Sequence, residues 1–212
     1  MKEAQSIQQS VVYIVDDDVS VRNSLSNLFR SVDLPVEVFV SPASFLQREF
    51  PDVASCIVLD IRMPGSSGLD FQTELRKVGI KFPIIFLTGY GDVKMSVQAM
   101  KAGAVDFLTK PYRDQDILDA VAAALESDRK RRDRDMAALE LRTRFATLSK
   151  REQEVMALVT SGLMNKQAAA EAGISETTVK IHRGNVMQKM RAKSFAELVM
   201  MADTLQIRRV KS

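Results

Sequence analysis

The chain has a single cysteine, Cys56, and a single histidine, His182. One cysteine excludes an internal disulfide, and its place at the head of the apolar stretch CIVL marks a buried structural thiol. His182 has no second histidine or cysteine with which to hold a metal, so it reads as a packed or phosphate-touching side chain. Membrane-length apolar runs are missing as well. The strand-sized runs VVYIV (11–15) and PIIFL (83–87) fall far short of the roughly 20 residues that cross a bilayer. The opening MKEAQSIQQS holds no apolar export segment. A cytoplasmic protein with no membrane partner is expected.

What is present suits two modest cores. The 212 residues are 46% hydrophobic and 27% charged, ordinary values for globular domains. The net charge of +3 hides an asymmetry. Residues 1–125 carry 12 Lys/Arg against 16 Asp/Glu, whereas residues 126–212 carry 18 against 11. The second part is the one suited to a polyanion.

In the first part, apolar runs at 11–15, 36–40, 56–59, 83–87 and 105–108 alternate with stretches of helical spacing such as Leu69, Phe71, Leu75 and Val78. Five βα units follow. Ser41 before Pro42 reads as an N-cap, and Gly79 and Gly103 suit helix C-terminal positions with positive φ. Strands this apolar need cover on both faces, which predicts a doubly wound α/β fold with a five-stranded parallel sheet. Such sheets place sites at the carboxyl ends of their strands. There stand Asp16, Asp17 and Asp18 after strand one, Asp60 after strand three, Thr88 after strand four and Lys110 after strand five.

Two carboxylates about 4 Å apart repel by about 4 kcal/mol at an effective dielectric near 20, so an acidic cluster calls for a cation. Mg²⁺ (or Mn²⁺), which keeps waters and accepts phosphate oxygens, fits that demand. With a lysine and a hydroxyl beside the acids, the chemistry indicated is phosphoryl transfer onto Asp60 as nucleophile. The plain alternative for any one of these acids is a helix cap or a solubilising strand end; Asp18 reads as the cap of the next helix and Tyr90 as an exposed loop aromatic.

Residues 126–135, ESDRKRRDRD, contain neither glycine nor proline, and the 126–147 segment reads as a charged, solvated helix continuing the fifth helix of the first part. Leu118, Val121, Leu125, Met136 and Leu139 leave a thin apolar stripe for either a coiled-coil dimer or a semi-rigid spacer. From 148 onward the pattern is helical. SKRE (149–152) and SFAE (194–197) read as capping boxes, and AGIS (172–175) is a tight turn between two short helices, which predicts an all-α, four-helix helix-turn-helix unit. In the second helix Val179, Val186 and Met190 share one face, while Thr177, Lys180, Ile181, Gly184 and Gln188 share another that is free to enter a major groove together with Thr178. Lys180 can reach a guanine edge and Ile181 a thymine methyl, and Gly184 indicates either tight packing or close approach to a duplex. Lys166, Arg183, Lys189 and Arg191 suit phosphates.

IVDDD, LDIRMPGSSG, LTGYGD and DFLTKP, in this order, resemble the receiver domain of bacterial two-component response regulators over 9–125. Residues 148–205 resemble the LuxR-type DNA-binding domain, and the whole chain looks like the FixJ/NarL branch. The resemblance implies a sheet of order 2-1-3-4-5, a disordered 1–8, a linker at 126–147 and the DNA-binding domain at 148–212. It implies that Asp60 accepts phosphate from a cognate sensor histidine kinase. Asp16 and Asp17 would be the acidic pair, with Mg²⁺ also on Asp60 and the backbone carbonyl of Arg62. Thr88 and Lys110 would hold the phosphoryl oxygens, Thr88 and Phe107 would form the switch, and Lys110–Pro111 would be cis. Phosphorylation would control homodimerisation and binding to double-stranded promoter DNA, with RNA polymerase as a further partner and no enzymatic activity beyond self-phosphorylation and aspartyl-phosphate hydrolysis. Two rivals stand beside this: a phosphatase resembling the haloacid-dehalogenase group, whose nucleophile would follow strand one and not strand three, and a regulator whose receiver is never phosphorylated.

Overall fold

The computed structural model describes residues 10–64, 66–89 and 93–207. The 1–8 segment, Gly65 and Tyr90 lie outside the described residues. By internal contacts the chain divides after Arg132 into two compact units.

The first unit is built on five strands: β1 (Val11–Val15), β2 (Val36–Phe39), β3 (Ser55–Asp60), β4 (Ile84–Gly89) and β5 (Asp106–Lys110). They form one parallel sheet ordered β2-β1-β3-β4-β5, as anticipated. The helices are α1 (Val19–Ser31), α2 (Pro42–Leu46), α3 (Gly68–Lys77), α4 (Val93–Lys101) and α5 (Asp114–Ala146). Alternate residues of the central strands bury on opposite faces. Tyr13, Val15, Ile57, Leu59 and Phe86 join Phe45, Phe71, Leu75 and Ala99 of α2, α3 and α4. Val12, Ile14, Cys56, Val58 and Ile85 join Leu25 and Phe29 of α1 and Ile117 and Val121 of α5. Burial of Cys56 raises its thiol pKa, and the Asp128 charge adds to the effect.

The punctuation follows the local chemistry. Asp18 caps α1, its carboxylate accepting the Ser20 N–H at 2.7 Å. Ser41 and Ser44 form a reciprocal box around Pro42, and Gly79 and Gly103 have φ of +81° and +80°. Lys110–Pro111 is cis. Gly68 is required for another reason: a Cβ there would meet the Asp60 carbonyl at 2.7 Å.

The 33-residue α5 is continuous, but it is not a solvated spacer throughout. Val121 and Leu125 are buried in the first core and Leu118 packs against it, so these three residues cannot belong to a stripe that zips two chains. Asp128, inside the charged run, is fully buried. Further on, Leu141 and Phe145 belong to the core of the second unit.

That unit contains α6 (Lys150–Thr160), α7 (Asn165–Ala172), α8 (Glu176–Met190) and α9 (Phe195–Thr204). Both bonds of the Ser149/Glu152 capping box are made. The second box is half made: Ser194 accepts the Glu197 N–H, but the Glu197 carboxylate takes the Lys193 N–H in place of the Ser194 one. Gly173, with φ +65°, ends α7, and Ser175 caps α8 by accepting the Thr178 N–H. Val179, Val186 and Met190 are buried, which presents the opposite face of α8 outward. Among the described residues, no helix is long and apolar enough to cross a membrane.

Candidate acidic site and recognition helix

Two adjacent parallel strands deliver the acids. β1 ends beside Asp16 and Asp17, and β3, paired to it in register, ends on Asp60. One carboxylate oxygen from each of Asp16, Asp17 and Asp60 lies within 4.8 Å of the others. Asp16 is fully buried, Asp60 is 8% exposed and Asp17 faces solvent. Three negative groups this close are unfavourable alone.

Lys110 supplies a cation. From the end of β5 it donates to Asp16 Oδ2 at 2.9 Å and to Asp60 Oδ2 at 2.8 Å. Burial works against its charge, but the hydrogen bonds from its ammonium to Asp60 and Asp16 outweigh that and raise its pKa, so it stays protonated. Burial lifts the Asp16 carboxyl above its ordinary range, against the opposing pull of Lys110 and of the Asp18 N–H, with Asp60 adding to the rise. Among the described residues, Asp60 Oδ1 receives the Arg62 N–H, at 3.0 Å. A carboxylate offers about four acceptor positions, so Asp60 keeps lone pairs for another partner. An all-oxygen, half-open donor set with surplus negative charge fits a hard divalent ion that retains water. Asp16, Asp17 and Asp60 are the residues able to hold it.

Thr88 is fully buried, one residue beyond Leu87, which pairs with Asp60. Its hydroxyl donates to the Gly89 carbonyl at 2.8 Å. Phe107 is half-buried against the core formed with α2, α3 and α4. Arg62 sits in a two-residue antiparallel ladder with Ser67, placing its backbone next to the Asp60 loop.

On the second unit, Lys166, Thr177, Lys180, Ile181, Gly184 and Lys189 are exposed, Ile181 at 59%. Lys180 pairs on the surface with Glu176, one turn earlier, at 3.1 Å. A Cβ at Gly184 would meet nothing within 4 Å, which eliminates tight intramolecular packing as the reason for that glycine. Three further expected contact residues have partners inside the unit. Arg183 lies 4.5 Å above the Phe195 ring and donates to Asn165 at 3.4 Å. Lys189 donates to the buried Glu152 at 2.7 Å. Thr178 shares a hydrogen bond with the capping Ser175. Lys189, first, and the capping-box N–H of Ser149 hold the Glu152 carboxyl down to about 2. The 37-residue separation of Glu152 and Lys189 hid that pair from the sequence; the capping box gave its only local sign.

Comparison with known proteins adds to the geometry. Residues 12–122 match the family described as response regulator receiver domain, and residues 146–202 match bacterial regulatory proteins of the luxR family. The chain is 59% identical to nodulation protein W of Bradyrhizobium diazoefficiens, over 94% of this chain and 88% of that protein. It is 45% identical to the transcriptional regulatory protein FixJ of Azorhizobium caulinodans, over 90% of each. The solved structure of the response regulator StyR superposes with a TM-score of 0.79 at 45% identity, covering 92% of this chain and 98% of that one.

Proposed function

Because the chain belongs to the two-component response regulators that join a receiver domain to a LuxR-type DNA-binding domain, we propose that Asp60 is its phosphoacceptor and that phosphate there governs homodimerisation and promoter binding. The chain is a transcription regulator and not an enzyme. A receiver implies a sensor kinase and a helix-turn-helix implies DNA. The finer assignments are ours: a cognate histidine kinase as donor, double-stranded promoter DNA as target, RNA polymerase as a further partner, the cytoplasm as location, and boundaries at 9–125, 126–147 and 148–212 for receiver, linker and output domain.

The observation that carries the proposal is the convergence of Asp16, Asp17 and Asp60 on one point, with Lys110 bridging two of them. Asp60 Oδ attacks the phosphorus of the donor phosphohistidine, the P–N bond breaks, and the imidazole leaves with its electron pair. Asp16, Asp17, Asp60 and the Arg62 carbonyl would hold a Mg²⁺, which would supply charge neutralisation for the acceptor and phosphoryl oxygens. Lys110, already on Asp60, moves to a phosphoryl oxygen. Thr88 exchanges the Gly89 carbonyl for another oxygen, and Phe107 turns toward the space Thr88 leaves, by packing alone. On α8, Thr177, Lys180, Ile181 and Gly184 read bases, with Thr178 beside them; Lys166 and Lys189 meet phosphates, and Arg183 orients α8 through Phe195.

Beryllofluoride, which mimics the aspartyl phosphate, tests this when added with Mg²⁺ to the full chain. Uptake, a shift to dimer on gel filtration and tighter binding to selected DNA are expected together; uptake without any change in DNA affinity rejects the gate. No uptake at all rejects Asp60 as acceptor.

A further inference from the structure

The two ends of β3 carry different business. Asp60 closes it, and Ser55 opens it. The Ser55 N–H points toward β4, as does that of Ile57, which donates to the Pro83 carbonyl at 2.9 Å. β4 itself begins at Ile84. The Asp128 carboxylate of α5 takes the place of the next carbonyl in that ladder, accepting the Ser55 N–H at 3.0 Å.

Asp128 is fully buried, and its burial is matched by cations from its own helix. Its Oδ1 accepts from Arg131 Nε at 3.0 Å and from the same guanidinium's Nη2 at 2.6 Å; its Oδ2 accepts from Arg132 Nε at 2.8 Å as well as from Ser55. Arg132 reaches on to Asp52, in the approach to β3, and Arg129 donates to the Ser10 hydroxyl at 2.7 Å, just before β1. The stretch from Asp128 to Arg132 is thus tied to the start of two adjacent strands. One of them is the strand that ends on the proposed phosphoacceptor.

We propose that Asp128 is a positioning residue that couples β3 to α5. Through the Ser55 N–H it makes the phosphoacceptor strand and the outgoing helix one body as far as Arg132, so that a shift of β3 accompanying phosphorylation moves α5 with it. This rests on the reading of Asp60 given above. Asp128 itself takes no part in the chemistry: four donors fill its acceptor positions, and it lies at the opposite end of the strand. Its role is to prevent the helix from slipping on the sheet.

The test uses the full chain and three variants, Asp128→Asn, Asp128→Ala and Arg132→Gln. The asparagine variant keeps an acceptor for the Ser55 N–H while discarding the charge, and Arg132→Gln leaves the carboxylate in place, so a folding failure of the alanine variant still leaves two informative proteins. Three quantities are read: beryllofluoride uptake with Mg²⁺, the ratio of DNA affinities with and without beryllofluoride, and amide exchange of residues 55 and 126–135. Uptake should stay near wild type in every folded variant. The affinity ratio should fall about fivefold in Asp128→Ala, with smaller losses in the other two. Exchange should rise at Ser55 and along 128–132, while the Asp60 end of β3 stays protected. Variants that fold, take up beryllofluoride and keep the wild-type affinity ratio overturn the proposal and leave Asp128 a stabilising residue only. A wild-type chain that takes up beryllofluoride without gaining affinity overturns the gate above and this inference with it.

Discussion

The two poles of the receiver each bury a carboxylate on or against β3, and they solve the problem of charge in opposite ways. At one pole Asp60 shares Lys110 with Asp16 and, among the described residues, takes only the Arg62 N–H besides. At the other, Asp128 takes four donors, two guanidinium groups among them, and has none to spare. An acid proposed to react and a structural acid can therefore lie on and against one strand with similar burial. What separates them is the balance of donors and acceptors around the carboxylate. Under-satisfaction costs stability and leaves a place for an incoming cation or phosphate; full satisfaction fixes geometry and excludes both.

The largest expected effect tests whether the first pole is chemical at all. Asp60→Asn should reduce phosphorylation by acetyl phosphate by at least about 100-fold, read on a phosphate-affinity gel. The same change removes one of the crowded charges and should leave urea stability equal to wild type or above it. Asp128→Ala should do the reverse to stability, lowering it by about 3–5 kcal/mol because Arg131 and Arg132 lose their buried partner. If both substitutions moved the urea midpoint in the same direction by similar amounts, the distinction between the poles would fail.

Gly68→Ala sharpens the same contrast from the backbone side. The added methyl would press on the Asp60 carbonyl and on Phe86, so a loss of about 1–3 kcal/mol is expected, together with slower beryllofluoride uptake. An effect on thermal stability with unchanged uptake kinetics would confine Gly68 to packing.

The buried carboxylate of Glu152 extends the comparison to the helical unit and carries the smallest effect. Its folded pKa, about 2, lies below the ordinary carboxylate value. Its contribution to stability is therefore complete above the unfolded value near 4.5 and is lost as pH falls toward 2. Lys189→Met should remove about 1 kcal/mol at neutral pH, since Lys189 is partly solvated. It should also move the acid-induced loss of α8 amide protection to higher pH. An acid transition unchanged in Lys189→Met would mean that the capping box alone stabilises the carboxylate.

The gathering of Asp16, Asp17, Asp60 and Lys110 was legible in the sequence because strand-end acids and a lysine recur at fixed places in alternating βα units, and the carboxyl ends of a parallel sheet share one rim. The structural pole was not. Asp128 is followed by arginines three and four residues later, the spacing of ordinary surface pairs on a solvated helix. Its burial depends on Ser55, 73 positions away. One signal was nevertheless available: Ile117, Val121, Ala124 and Asp128 continue a single helical stripe, so the acid occupies a position reserved for the core. The inward turns of Arg183 and Lys189 had no comparable sign, because an exposed phosphate contact and a cross-helix partner place the same demand on a basic residue's spacing.

Gly184 stands on the outward side of α8 with open space where a side chain would grow. Alanine at such a helical position is favoured over glycine by about 1 kcal/mol, so larger residues meet no folding barrier there. If α8 reads bases as proposed, a substitution at Gly184 would bring a new side chain to the duplex without disturbing the scaffold.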